Sequence, residues 1–209
     1  MRSRIWALLV ASAIVHPKLV AGAVMGVPAA STSDVPPRLV SCPAGDSTFI
    51  VVTRHIDYVP WSEGPVTVHF CGCPGYRLSV AGSHPYTINP DECSISMIPD
   101  GLGVSRFPVA GGGICPGDTV WVTAESLILF PFPVVASFDQ NGDWKVDSSD
   151  LSLVYSKLGT NDLSADFDGD GVVTTADAEI LRAHLGHAAP DAATPAVPAS
   201  WGQLKIWYR

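Results

Sequence analysis

The feature that most constrains this chain is an internal duplication. Residues 139–159 (DQNGDWKVDSSDLSLVYSKLG) and 166–186 (DFDGDGVVTTADAEILRAHLG) align without a gap at a 27-residue offset, with 7 of 21 positions identical. A short, fixed period marks a repeated supersecondary unit whose copies bury their apolar faces together. The conserved pattern is chemical as well as spatial. Nine of the 16 Asp in the chain fall in residues 139–177, beside only two bases, Lys145 and Lys157. Asp competes with the helical backbone and favours loops, so this stretch opens each unit with a loop.

Oxygen-bearing residues stand at loop positions 1, 3, 5, 9 and 12. They are Asp139, Asn141, Asp143, Asp147 and Asp150 in the first copy, and Asp166, Asp168, Asp170, Thr174 and Asp177 in the second. The backbone carbonyls of Lys145 and Val172 take position 7. This alternation curls a short loop around one hard cation, and Ca2+ takes six to eight oxygens. Position 9 can act through water, which suits Thr174. Position 12 also begins a helix, where a carboxylate suits the positive end of the dipole. Its Asp is shorter than the usual Glu and must approach the ion more closely. Position 6 demands a positive φ. Gly171 supplies it freely, whereas Trp144 pays on the order of 1 kcal/mol, so the first site is expected to bind more weakly. Val146 and Val173 are expected to pair the two loops in a short β contact. Leu151, Val154, Tyr155 and Leu158, then Ile180, Leu181, His184 and Leu185, recur at helical spacing and predict a small shared core. Gly159 and Gly186 fit the position after a helix end.

Loop–helix units of the form DxNxDxxVxSxDL, duplicated after 27 residues and lacking a full helix before each loop, resemble a type I dockerin module over about residues 137–188. The resemblance implies two structural Ca2+, folding coupled to their binding, and docking to a cohesin, typically in extracellular polysaccharide-degrading complexes. It places the partner surface at loop positions 10 and 11, which are Ser148 and Ser149, then Thr175 and Ala176, with Arg182 on the second helix. Basic residues in the recognition helices are sparser than in that family, with Lys157 and Arg182 alone, which leaves cohesin choice open.

The N-terminus reads as a secretory signal over residues 1–23. Arg2 and Arg4 precede an 11-residue apolar run, and Ala21-Gly22-Ala23 is a small-residue cleavage site. Eleven apolar residues span only about half a bilayer, so a membrane anchor is not expected. Cleavage would remove three bases and no acid, taking the formal charge from −8 to −11. That acidity excludes phosphate-backbone binding, which needs clustered Lys and Arg. The mature protein is expected outside the cell or at its surface.

Residues 24–41 are rich in Ala, Pro and Ser and read as a linker. Residues 42–136 carry β-branched and aromatic runs at 49–53, 66–70, 76–80, 120–123 and 127–130, punctuated by Gly and Pro. They predict a mainly β, Ig-like sandwich followed by the small all-α calcium module. Cys42, Cys71, Cys73, Cys93 and Cys115 are disulfide candidates in an exported chain, two bridges and one leftover in any of 15 arrangements. No catalytic constellation emerges. Glu63 and Glu125 are not placed opposite each other by their spacing, His55, His69 and His84 form no ligand motif, no nucleophile elbow is present, and the Gly111-Gly112-Gly113 run reads as a flexible loop. A non-catalytic protein with a cohesin-like or cell-surface partner is therefore expected. The alternatives are a carbohydrate-binding domain using Tyr58, Trp61, Tyr76, Tyr86 or Trp121 as stacking platforms, or a small glycoside hydrolase. Residues 189–200 form a Pro/Ala linker to an aromatic-basic tail, 201–209 (WGQLKIWYR). That tail suits either a recognition or sorting tag, or a segment folded back over an apolar patch.

Overall fold

Alternation sets the strands. In Thr48–Val52 the side chains of Phe49 and Val51 point inward while Thr48 and Ile50 point out, and Val104–Pro108 repeats the pattern with Ser105 and Phe107 buried. A period of two is what a half-buried strand requires. The computed structural model describes residues 26–80, 82–115 and 120–190. In chain order its strands are β1 Arg38–Ser41, β2 Thr48–Val52, β3 Val66–His69, β4 Arg77–Leu78, β5 Thr87–Asn89, β6 Ser94–Met97, β7 Val104–Pro108, β8 Gly111–Gly112, β9 Trp121–Ala124, β10 Leu127–Leu129 and β11 Val134–Ser137. They are followed by helices α1 Ser148–Ser156 and α2 Thr175–Arg182.

Five strands form an antiparallel sheet in the order β10-β9-β3-β6-β5. Central β3 is flanked on both sides, with Val66 opposite Ala124 and Met97, and Val68 opposite Val122 and Ile95. Three two-stranded ladders complete the β region: β2–β7 and β4–β8 are antiparallel, and β1–β11 is parallel. Leu39, Phe49, Val51, Phe107 and Val135 from the ladders share one apolar cluster with Val66, Val68, Ile95, Val122 and Leu129 of the sheet. Burying each such side chain contributes about 1.5–3 kcal/mol, so this cluster dominates the stability of the β region. Trp61, Tyr76 and Tyr86 belong to it. The three aromatics are core residues rather than stacking platforms; Tyr58 is exposed and Trp121 half-buried.

Three expectations about organisation change. The stretch at 24–41 is not a linker where it is described: β1 pairs residue for residue with β11, Asp34 bridges Val52, and Val35 and Leu39 are buried. Its low-complexity composition hid the Arg38-Leu39-Val40-Ser41 strand. Nor is the glycine run a flexible loop. Gly111 and Gly112 form β8, and the Gly113 N–H donates to the Asp139 carbonyl at 2.7 Å. The expected linker after 188 also begins with a packed residue, Ala189, whose N–H donates to the Trp144 carbonyl at 3.1 Å. The expected signal segment and the tail at 201–209 lie outside the described residues. No helix among the described residues is long and apolar enough to cross a membrane.

Candidate calcium loops and their seat on the β region

Both loops are organised by their first and last carboxylates. Asp139 accepts from the backbone N–H of Gly142 at 2.7 Å and Asp143 at 3.2 Å through one oxygen, and from Trp144 at 2.9 Å through the other. Asp150 accepts from Gln140 at 2.8 Å, Asn141 at 3.1 Å and Asp147 at 2.8 Å. The second loop repeats this 27 residues on. Asp166 accepts from Gly169 at 2.8 Å and Gly171 at 3.0 Å, and Asp177 from Phe167 at 2.6 Å, Asp168 at 3.1 Å and Thr174 at 2.8 Å. Between them, Asn141 and Asp143, then Asp168 and Asp170, each accept from the N–H two residues on. These short bonds wind each loop and turn successive oxygens to one side.

Position 9 is the N-cap of each helix and position 12 its third residue. Asp147 with Asp150, and Thr174 with Asp177, form reciprocal capping boxes. One carboxylate thus closes the loop and starts the helix. Carboxylate oxygens of Asp166, Asp168 and Asp177 lie within 4.8 Å of one another. Asp139, Asp150, Asp166 and Asp177 are all fully buried. Among the described residues only Arg38 pairs with any of the four, at 2.9 Å from Asp166. Buried carboxylates are expensive unless paired or bound to metal. An all-oxygen donor set of this kind fits Ca2+ better than a nitrogen- and sulfur-preferring ion.

Burial pushes the Asp139 carboxyl up from its ordinary 3.8 to about 6, against the lowering effect of its backbone donors and with help from the charges of Asp150 and Asp143. Burial likewise raises Asp150. A carboxyl raised in the fold holds its proton more tightly there. Without a cation the fold therefore loses stability as pH rises from 3.8 through about 6. Calcium needs the ionised form, so its affinity at the first loop is expected to fall as pH drops below about 6. Calcium titrations at neutral pH and on the acid side of that value test this. Unchanged affinity of the first loop would contradict it.

Trp144 adopts φ +72° and Gly171 φ +94°, so the tryptophan takes the strained conformation that position 6 demands. Trp144→Gly is expected to strengthen the first site by roughly 1 kcal/mol, about fivefold in affinity. Calorimetry on the two proteins reads this directly. Equal affinities would show that side-chain contacts of Trp144 offset the strain.

The two loops do not pair through Val146 and Val173. Val146 instead exchanges hydrogen bonds with the segment after α2, donating to the His187 carbonyl and accepting from Gly186, both at 2.8 Å. Val173 does the same after α1, donating to Thr160 and accepting from Gly159, both at 2.8 Å. Each loop is thus stitched to the end of the other unit, in pseudo-twofold fashion. Gly159 and Gly186 have positive φ and serve this return of the chain, two or more residues beyond the helix caps at Lys157 and Ala183. The predicted stripes are only partly buried. Val154 and Leu181 are core, whereas Tyr155, Leu158 and Leu185 are exposed. The buried places go to Phe138, Val146, Ala165, Phe167, Val173 and Ala178, together with Cys42 and Ala136 from the β side. Spacing identified the helices but could not foresee that loop residues and β strands would fill their interface.

The duplicated unit is seated on the β region. Phe138 N–H donates to the Ser41 carbonyl at 3.0 Å, extending the β1–β11 ladder, and the Phe138 ring stacks on His184. Arg38 reaches the Leu163 carbonyl as well as Asp166. Ser148, Ser149, Thr175, Ala176 and Arg182 remain exposed. Arg182 donates to the Tyr155 hydroxyl at 2.7 Å, joining equivalent positions of the two units.

Cys73 and Cys115 form a disulfide; Cys71 and Cys93 are exposed thiols and Cys42 a buried one. A thiol–thiol hydrogen bond to Cys93, then burial, raises Cys71 to about 11, and burial with Asp46 pushes Cys42 up. His55 pairs with Glu63 at 3.4 Å, His69 stacks on Trp121, and His84 stacks on Tyr86. Burial lowers His69. The fold does bring the Glu125 side chain against Gly64, next to Glu63, which their separation of 62 residues concealed. Sequence reasoning also missed Arg38, which pairs with Asp166, and the meeting of Asp46 and His187 with Cys42, since none lies in a recognisable motif.

Residues 137–186 match the family model of the dockerin type I domain, about a quarter of the chain. Such domains in general bind calcium and attach their proteins to cohesin-type partners. No curated protein and no solved structure matches the chain.

Proposed function

We propose that this is a secreted, non-catalytic protein whose dockerin segment holds two structural Ca2+ in EF-hand-like loop–helix units. That segment attaches an Ig-like β sandwich to a cohesin-type or cell-surface partner, within extracellular polysaccharide-degrading machinery. The supporting observation is the set of four fully buried carboxylates, three of them without a cationic partner among the described residues, each anchored by backbone N–H groups at a 27-residue repeat. Lys145 and Val172 carbonyls, Asn141, Asp143, Asp147, Asp168, Asp170 and Thr174 complete the two ligand sets in this reading.

Both ends of the pseudo-twofold offer a partner surface, since Ser148 and Ser149 on α1 and Thr175 and Ala176 on α2 are exposed at equivalent positions. The exposed Leu153, Tyr155, Leu158 and Leu185 add apolar area beside them. Pull-down of the full chain by a panel of type I cohesins, with calcium and with excess chelator, tests the attachment. Calcium-dependent capture that is lost in a Ser148/Ser149/Thr175/Ala176 variant supports it. Capture by no cohesin, or capture indifferent to chelator, overturns it.

A carbohydrate-binding role for the β region is favoured by one feature, an apolar cleft lined by Val120, Trp121, Ile128 and Phe132 with Phe130 exposed nearby. A glycan-binding screen combined with an activity assay distinguishes this role, and a hydrolase, from a plain spacer.

A further inference from the structure

A second donor cluster lies outside the calcium loops, where the β region meets the end of the duplicated unit. Cys42 follows β1 and is fully buried; Asp46 stands in the turn after it; His187 follows α2. One ligand atom from each lies within 4.8 Å of the others. His187 Nδ1 is 2.7 Å from an Asp46 carboxylate oxygen and 3.7 Å from Cys42 Sγ. The His187 ring and the Cys42 thiol thus both converge on the Asp46 carboxylate. A cation placed among the three atoms satisfies all of them at once.

We propose that Cys42, Asp46 and His187 bind a divalent cation of the zinc class across the seam between the β region and the dockerin segment. Thiolate, imidazole and carboxylate together are a borderline-soft donor set, unlike the all-oxygen loops. Tetrahedral bonds of about 2.0–2.3 Å put neighbouring ligand atoms roughly 3–4 Å apart, which the Sγ···Nδ1 separation already meets.

Three further contacts fix the donors. The Cys42 carbonyl accepts from Gly45 at 2.9 Å, which sets the turn carrying Asp46. Val146 holds the His187 carbonyl, and Cys42 bridges Ala110. His184 is the candidate fourth ligand. Its Nε2 is 4.0 Å from the same Asp46 carboxylate, and its Nδ1 lies 3.0 Å from the Ile180 carbonyl. With Nδ1 carrying the proton, that bond leaves Nε2 as the free lone pair, as in ligand histidines whose other nitrogen is tied to a carbonyl. The Phe138 stack holds the ring in place. The disulfide Cys73–Cys115 and the adjacent thiols Cys71 and Cys93 leave Cys42 as the odd cysteine, which a metal role accounts for.

The test uses the full chain, stripped of metal under reducing conditions and then held in saturating calcium so that the oxygen loops are occupied. Zinc is titrated against a chromogenic chelator, and Co2+ replaces it as the spectroscopic probe. The expected result is about one zinc per chain and a thiolate-to-cobalt charge-transfer band. Cys42→Ser should abolish that band. His187→Gln, a milder change at a half-buried position, should weaken zinc binding about tenfold or more, with unchanged calcium stoichiometry. A Cys71→Ser/Cys93→Ser variant should behave as the parent. Absence of stoichiometric zinc binding, a thiolate band surviving in Cys42→Ser, or one lost in the Cys71/Cys93 variant would overturn the site. Because calcium is counted separately, failure here is distinct from failure of the calcium loops.

Discussion

Asp177→Ala is expected to reduce bound calcium from two ions to one and to melt α2, Thr175–Arg182. The carboxylate is fully buried and accepts from the backbone N–H groups of Phe167, Asp168 and Thr174. Alanine leaves those donors without their acceptor, at about 1–3 kcal/mol for each that stays buried. The Thr174 bond is also half of the capping box that starts α2, and the carboxylate is an ion ligand in the function proposed above. The sum, several kcal/mol, is comparable to the whole stability of a small module. Asp177→Asn separates the contributions, because the amide oxygen can still accept while the charge is gone. It is expected to keep more of the helix than alanine does, yet still lose the second ion. Calcium counting with far-UV dichroism reads both outcomes. Two calcium ions retained by Asp177→Ala would remove Asp177 from the ligand set.

The second large effect is expected at a position far from either loop in sequence. Gly112 lies in β8, and a Cβ there would collide with the Asp139 carboxylate. Asp139 is buried and fixed from three sides by its own loop, so neither group can yield cheaply. Gly112→Ala should therefore lower the thermal midpoint, with a destabilisation of about 1–3 kcal/mol typical of overpacking. Calcium affinity at the first loop should fall while the second loop is spared. Gly101→Ala, where a Cβ meets open space, is the matched control and should change neither. If Gly112→Ala left calcium binding at the first loop intact, the loop would not be seated on the β region in solution.

The second prediction rests on a wider property of the fold. The acidic loops are not a bead on a linker but part of a joint packing unit. Ala136 of β11 and Cys42 sit in the apolar cluster of the loops, and Arg38 of β1 pairs with Asp166, the first carboxylate of the second loop. Charge explains part of this: an acidic segment gains from a cation brought by the neighbouring strand. A partner that engages α1 and α2 would meet the exposed face and leave the seated one undisturbed.

How much of this was legible beforehand follows from the range of the interactions involved. Loop oxygens, the helix starts at positions 9 to 12 and the strained turn at Trp144 depend on residues within about a dozen positions, so their spacing alone specifies them. The strands 49–53, 66–70 and 120–123 were legible for the same reason, through β-branched and aromatic runs. Strand β6, Ser94–Met97, was not, because Ser-Ile-Ser-Met takes its burial from β3 beside it rather than from its own composition.

By itself, then, the sequence determined that the chain holds two acidic loop–helix units with oxygen donors at calcium spacing, preceded by a mainly β region. Only the tertiary structure decided that β1 lies parallel to β11, that Val146 and Val173 each pair with the far end of the other unit, and that Cys73 rather than Cys71 bridges Cys115. It also decided that Cys42, Asp46 and His187 meet. The division has one physical cause. The bonds that wind a twelve-residue loop join residues a few positions apart, whereas contacts across 42 or 145 residues exist only once the strands between them have chosen their neighbours.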